Sequence, residues 1–471
     1  LIELAPVLPQ GEHELFHSAR QLCPSRAIRV RDDRIGEGLP FETEPVPWYA
    51  RGRWLRDSQM RPATFLNYGI ADYYIQDAGS LLPVALLDPK PGEWILDLCA
   101  APGGKASAIL EAMQGIGVLV ANETIRSRLD SLHYMLARTG HANYIVANQD
   151  PEDLSQALSG RFDAVLVDAP CSGQMLVARD KRDESAWSQK QILHSAKRQN
   201  RILDAAVRML KPGGRLIYST CTFALEEDEE QISRLATNWP DRFEPIESQG
   251  LGAWQSPLAK GCYRLWPHRD RCAGGFAGGL VLKDSAPEWE EEGSSGGGKR
   301  FAKGKGLRGH PKEERDLLQS IAPVGDLSGD LEFRLWNGEL SLASPDVWRL
   351  LDRFHWLGTP MTAAFRKGTR WLPSHALAML RPTWFQPKQW VELDSDRASV
   401  YLRGEVVPLR GDSPDLDAGA GSVARRVEAE GDGWRVARWR NCPMGWVKGV
   451  SNRWNNHLPT WAVMNSIEDP S

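Results

Sequence analysis

WILDLCAAPGGKAS, residues 94–107, is the stretch on which the fold turns. An apolar run reaches Asp97, a turn of small residues carries the adjacent Gly103 and Gly104, and helix-like spacing follows. A strand, a tight turn and a helix built this way let backbone N–H groups approach a ligand at the helix's amino end. The turn is neither GxGxxG nor GxxxxGK[ST], so the usual fingerprints of NAD and ATP are absent.

Working outward, similar apolar runs recur at WILDLC (94–99), GVLVANE (117–123), YIVANQ (144–149), AVLVDA (164–169), RLIYST (215–220) and GLVLK (279–283). Helical spacing fills 104–114, 125–139 and 188–210, the last running into KPGG as a helix stop and turn. Strands alternating with helices from about residue 93 to 283 predict an α/β fold, a doubly wound Rossmann-like parallel sheet. Ligands of such sheets sit at the carboxyl ends of the strands.

The 471 residues exceed what a single core supports, so more than one domain is expected. Residues 1–60 read as a small N-terminal appendage, 61–283 as the domain holding the sheet, 284–312 as a flexible Gly/Ser-rich linker with a basic half at Lys299–Lys312, and 313–471 as a further region. That region has eleven of the nineteen tryptophans. Short runs such as EFRLWNG, RWLPSH, SVYLRGEVVPL, GWRVARW and GWVKGVS predict β-rich modules there.

No apolar run approaches the roughly 18 residues that span a bilayer, and no signal-like segment opens the chain, so a cytoplasmic protein without a membrane partner is expected. Seven scattered cysteines without a CxxC pair argue against a disulfide framework or structural zinc, and no metal is expected. The net charge of -4 gives no global nucleic-acid signal, so any such partner is held by local patches.

Acidic residues mark successive strand ends. Glu123 closes the second expected strand, where a carboxylate grips a ribose diol, and Asp150 follows the third, placed to meet an adenine. Singly, each reads as a solvated strand end or helix cap; jointly they point to a nucleoside-bearing cofactor with a non-phosphate tail. Asp168, Pro170 and Cys171 end the fourth strand, and Cys221 follows the next. A free cysteine is usually a small buried hydrophobe, but two at neighbouring strand ends beside an acid suggest one pocket. Cytosine C5 is a poor nucleophile until a thiolate adds to C6, after which C5 attacks an electrophilic methyl group. A carboxyl near N3 supports the adduct, and a base then removes the C5 proton as the thiol leaves. Asp168 suits the first task, a second cysteine the last, and spacing does not rank the sulfurs.

LDLCAAPGGK, VDAPCSG and YSTCTF, in that order, resemble the motifs of the NOL1/NOP2/Sun group of RNA cytosine-5 methyltransferases. YYIQDAGSLLP (73–83), EEDEEQI after Cys221, the IRV segment near residue 28 and PMGWVKGVSNRWNNHLP extend the resemblance towards its branch acting on small-subunit ribosomal RNA. It implies a class I methyltransferase core with a C-terminal PUA-like RNA-binding region. It also implies S-adenosylmethionine bound by Cys99, Ala100, Ala101, Pro102, Gly103, Gly104, Lys105, Glu123, Asp150 and Asp168. Cys221 would be the nucleophile and Cys171 the helper in product release. The chain departs from the family after DAPCSG, with Gln174 where Glu is usual and Lys181 where Pro is.

Between Gly433 and Thr460 stand five basic residues (435, 438, 440, 448, 453), four tryptophans (434, 439, 446, 454) and no acid. Basic and aromatic groups interleaved this way offer phosphate contacts with base stacking, and about half of the tryptophans are expected in a β core instead. The expectation is a monomeric methyltransferase acting on C5 of a cytosine in 16S rRNA, within the 30S subunit. A tRNA cytosine-5 methyltransferase and a non-catalytic ribosome-assembly factor are the alternatives.

Overall fold

The computed structural model describes residues 8, 11–22, 24–179, 184–283, 325–368, 370–408, 433–450 and 453–468. The linker expected at 284–312, its basic half and Lys181 lie outside the described residues. The chain divides into two compact units, one of Leu1–Met60, Tyr73–Gly306 and Ala343–Met361, the other of Arg61–Asp72, Leu307–Leu342 and Thr362–Ser471.

The first unit is built on a sheet of β1 (Trp94–Asp97), β2 (Val118–Asn122), β3 (Tyr144–Ala147), β4 (Phe162–Asp168), β5 (Leu210–Thr220), β6 (Phe243–Pro245), β7 (Cys262–Leu265), β8 (Gly275–Leu282) and β9 (Gly358–Thr359). Its order is β6-β8-β5-β4-β1-β2-β3-β9, with β7 beside β8. The contacts β1/β2, β2/β3, β1/β4 and β4/β5 are parallel. Strands β6 to β9 join antiparallel. The helices among them are α1 (Gly104–Ala112), α2 (Leu129–Ala137), α3 (Pro151–Ala157), α4 (Gln189–Arg208) and α5 (Glu229–Asn238). Every residue of β1 after Trp94 and all of β2 and β3 are buried, which is why these strands read as unbroken apolar runs. The fold is therefore the doubly wound α/β sheet expected. From β1 the chain winds outward through β2 and β3, then returns to β4 on the other side. The carboxyl ends of β1 and β4 thus flank the point where the winding reverses, the usual ligand crevice.

One expected turn is a bulge instead. Helix α4 ends at Arg208, and Lys211–Gly214 lie within β5. Phe162 pairs with Leu210 but Ala164 with Arg215, so the Lys-Pro-Gly-Gly residues leave the ladder and rejoin it. Gly213 takes the left-handed φ of 74° that this excursion needs.

A four-stranded sheet of Thr43–Pro45, Gly52–Leu55, Ala27–Val30 and Tyr73–Ile75, in that order, precedes the main sheet. The IRV segment is one of its inner strands. Its Arg29 is fully buried, donating to Glu111 of α1 at 2.5 Å and to Ser107 at 2.7 Å. Arg51 of the same sheet also pairs with Glu111. The helix that follows the small-residue turn is therefore held from outside by buried charge.

In the second unit, strands Trp390–Glu392, Trp434–Trp439, Cys442–Val450, Arg453–Asn456 and Val407–Pro408 form one sheet in that order. The strand expected at 399–409 is a correction: Ser395–Leu402 is a helix, and only Val407–Pro408 is extended. Asp394 caps the helix by accepting from the Arg397 N–H at 2.9 Å, and Ala398, Tyr401 and Leu402 face the core at helical spacing. The cap lies upstream of the apolar run, so the run alone read as strand. That core also takes in Leu66, Ile70, Trp439 and Trp454. Three of the four tryptophans, Trp439, Trp446 and Trp454, are buried, and Trp434 is half-buried. Among the described residues no helix is long and apolar enough to cross a membrane.

Removing one partner of a buried ion pair leaves an uncompensated charge, a cost of about 3–5 kcal/mol. Glu111→Ala is expected to lower unfolding free energy by about that amount in urea titrations, and adding Arg29→Met to recover most of it.

Candidate active site

Two loops leave the carboxyl ends of β4 and β5, where Asp168 pairs with Ser219 in parallel register. Each loop carries a cysteine just past its strand, and the structure sets the Sγ atoms of Cys171 and Cys221 3.0 Å apart. The Cys221 N–H donates to Cys171 Sγ at 3.3 Å. Around the sulfurs the loops are stitched together. The hydroxyls of Ser172 and Thr222 are 2.8 Å apart, the Phe223 N–H donates to Gln174 Oε1 at 2.9 Å, and the Met175 N–H donates to the Cys221 carbonyl at 3.1 Å. The bond to Cys221, and then burial, hold the Cys171 thiol well above the ordinary cysteine range. Cys171 is buried while Cys221 is partly open.

Asp168 is gripped from two sides. Lys105 Nζ donates to its Oδ2 at 2.8 Å and Ser219 Oγ to its Oδ1 at 2.7 Å. Burial alone would depress the Lys105 ammonium, but Asp168 outweighs it and holds the lysine above its usual value. The small-residue turn from Cys99 to Gly104 thus ends in a lysine tied to the next strand. Within it Ala100 and Ala101 are buried, Pro102 is exposed behind a cis peptide, and Gly103 has φ 112°. A Cβ on Gly103 would stand 2.6 Å from Met135 Cβ, so glycine is required twice over. Burial, followed by the Asp97 charge, raises the Cys99 thiol well above its usual range.

Glu123 is 3% exposed and accepts from the Ile125 N–H at 2.8 Å and from Arg128 Nη1 at 3.0 Å. Arg128 also donates to the Ala101 carbonyl at 2.5 Å, linking the ends of β1 and β2. Asp150 is exposed and caps α3, accepting from the Glu152 N–H at 2.9 Å.

Several groups escaped the sequence reading. Asp97 is fully buried at the end of β1, no side chain hydrogen-bonds to it, and burial with the neighbouring Asp168 charge pushes it up to about 8. An acid at the end of the strand that decides the fold was a visible signal. Asn122, buried in β2, donates to the Leu98 and Gln149 carbonyls at 3.1 Å, a polar residue inside an apolar run. The run Glu226–Gln231 looks like a solvated face, yet Glu227, Asp228, Glu229 and Gln231 are buried. Arg264, itself buried, pairs with Asp228 at 2.9 Å and with Glu229. No local signal announces that arginine, which arrives from β7. The structure also explains Gln174: its amide accepts from Phe223 and donates to the Ala186 carbonyl at 3.4 Å, a combination an ionised glutamate does not offer. Among the described residues no cluster of His, Cys, Asp and Glu suits a metal ion.

A family model described as 16S rRNA methyltransferase RsmB/F matches residues 84–281, and one described as the methyltransferase RsmF PUA domain matches residues 388–464. Ribosomal RNA small subunit methyltransferase F of Erwinia tasmaniensis is 30% identical over 477 residues, spanning 97% of this chain and 94% of that protein. The protein of the same name from Vibrio parahaemolyticus is 30% identical over 485 residues, 98% and 96% of the two chains. Among solved structures, a methyltransferase homolog protein from Pyrococcus horikoshii aligns with TM-score 0.51 and 26% identity over 59% of this chain and 93% of that one. NSun6 from the same organism, solved with SFG, shares the fold at TM-score 0.52 and 18% identity over 60% and 97%. Near-full-length identity to these relatives, joined to the paired strand-end cysteines, means that this chain belongs to the 16S rRNA methyltransferase RsmB/F family.

Proposed function

We propose that the chain methylates carbon 5 of a cytosine in 16S rRNA, acting as a monomer on the 30S subunit, through a covalent adduct on Cys221. The observation that carries this reading is the thiol pair, 3.0 Å apart and one strand from Asp168.

In this reading Cys221, the sulfur that is partly open to the crevice, is the one that attacks. The Cys221 thiolate adds to C6 of the target base, and the ring electrons shift towards C5 and N3. Asp168 meets the ring at N3 in competition with Lys105 and Ser219, which hold its oxygens in the free protein. Once Cys221 is bonded to carbon it no longer bonds to or repels Cys171, and two causes of the raised Cys171 pKa disappear. The Cys171 thiol then gives its proton to solvent more readily, its thiolate takes the proton from the methylated C5, and the electron pair left at C5 forms the C5–C6 double bond as the C6–S bond breaks and Cys221 leaves as thiolate.

S-adenosylmethionine supplies the electrophilic methyl group. The residues present fit it: Asp97 lies buried at the crevice with no side-chain partner, a carboxyl that a cationic ligand would draw into its charged form. The turn Cys99–Lys105 gives backbone room, Glu123 suits the ribose and Asp150 the adenine. For the RNA, Arg438 lies 4.8 Å over Trp390, Arg440 4.5 Å over Trp439 and Lys448 5.7 Å from the Trp434 ring centre. Trp390 is 45% exposed, which leaves an aromatic face beside a cation for an unstacked base.

Methylation assays on 30S subunits, naked rRNA and tRNA are expected to favour the 30S particle, with bisulfite mapping locating one cytosine; transfer to tRNA alone would refute the substrate. Cys171→Ala is expected to accumulate a denaturation-resistant RNA adduct and Cys221→Ala to form none, and an adduct on the latter would reverse the two roles.

Asp97 gives a pH prediction. Its folded value of about 8 exceeds the ordinary 3.8, so the native state binds the extra proton and stability falls as pH rises between those values. Asp97→Asn is expected to raise the ligand-free melting temperature by a margin that grows from pH 4 to pH 8, while weakening S-adenosylmethionine binding in calorimetry.

A further inference from the structure

We infer that Glu227, a buried carboxyl on the loop after Cys221, is a positioning residue that sets the separation of the two thiols. It sits in the short turn Leu225–Glu227 and is fully buried. Its Oε2 accepts two N–H groups, from the Ser172 backbone at 2.9 Å and from Gln199 Nε2 at 2.9 Å. The same Gln199 nitrogen reaches the Pro170 carbonyl at 3.2 Å. Pro170 and Ser172 flank Cys171, so both neighbours of the inner thiol are tied to one carboxyl–amide pair.

The other thiol is referred to the same group. Tyr218 of β5 donates through its hydroxyl to the Glu227 carbonyl at 2.5 Å, anchoring the turn to the strand that delivers Cys221. Thr222, next to Cys221, bonds the Ser172 hydroxyl whose backbone N–H Glu227 holds. Gln199 belongs to α4, so a helix and the loop after β4 meet at the Glu227 carboxyl, while the backbone carbonyl of the same residue ties the turn to β5. Its position explains why this acid is buried: it is a two-fold acceptor for one loop donor and one helix donor, both buried, that would otherwise lack a partner. Burial raises its pKa, in keeping with a role as hydrogen-bond acceptor rather than as a site of exposed charge.

The catalytic meaning of this placement rests on the two-thiol reaction proposed above, whereas the spacing itself can be read without any RNA. Diamide, an azo oxidant, takes two electrons and two protons from a thiol pair and becomes the hydrazine as the disulfide forms. The rate at which it joins Cys171 to Cys221, followed by peptide mass mapping of the full chain, reports how the sulfurs face each other. Glu227→Ala is expected to slow this closure by about tenfold or more, as displacements near 1 Å do for reacting groups. Glu227→Gln, which keeps an oxygen for Ser172, is expected to recover most of the rate. Gln199→Ala, which frees Pro170 but leaves the Ser172 bond, is expected to fall between them and covers the case in which Glu227→Ala does not fold. In methyl transfer, Glu227→Ala is expected to lower kcat with KM for RNA and cofactor unchanged, and to raise the fraction trapped as adduct. Wild-type closure rates in folded Glu227→Ala or in Gln199→Ala would overturn the inference, as would failure of Glu227→Gln to rescue. If wild type methylates no RNA, the function above fails, while the closure rates still decide the role of Glu227.

Discussion

The parallel register of β4 and β5, Asp168 beside Ser219, is the constraint on which the site depends. Two loops that start level with each other bring their first residues together, and here those residues include Pro170-Cys171 and Cys221. A slip of one residue between the strands would put Asp168 and Ser219 on opposite faces of the sheet and part the sulfurs. The bulge of Lys211–Gly214 absorbs the extra residues near the start of β5, so the ladder is back in step before it reaches the reactive end.

Charge is distributed around that register in layers. Lys105 answers Asp168, Arg128 answers Glu123, and Arg264 answers Asp228 and Glu229. Asp97 and Glu227 are different, because neither has a cation bonded to it among the described residues. Such carboxyls cost free energy to bury, and they persist where a ligand or a set of backbone donors makes use of them.

How much of this was legible followed from burial geometry. Strands covered on both faces read as apolar runs, so the parallel β1 to β5 and the buried antiparallel β8 were visible, and strand ends mark the crevice in any such sheet. Cys171, Cys221 and Asp168 were therefore found as a set. The 3.0 Å contact between the two sulfurs was not legible, since it joins residues fifty positions apart. The helix Ser395–Leu402 was missed because Asp394, its cap, precedes the apolar pattern. The burial of the acid run after Cys221 has a cause that no local pattern reveals: its counter-charge, Arg264, comes from β7.

The buried pair that holds α1 has a consequence for how the chain is made. Arg29 and Glu111 are 82 positions apart, and at roughly 5–20 residues per second the arginine is synthesised about 4–16 s before its partner. Until that helix is made, Arg29 lacks the carboxylate that compensates its burial in the folded chain. The N-terminal sheet is thus completed by a helix that comes later in the chain.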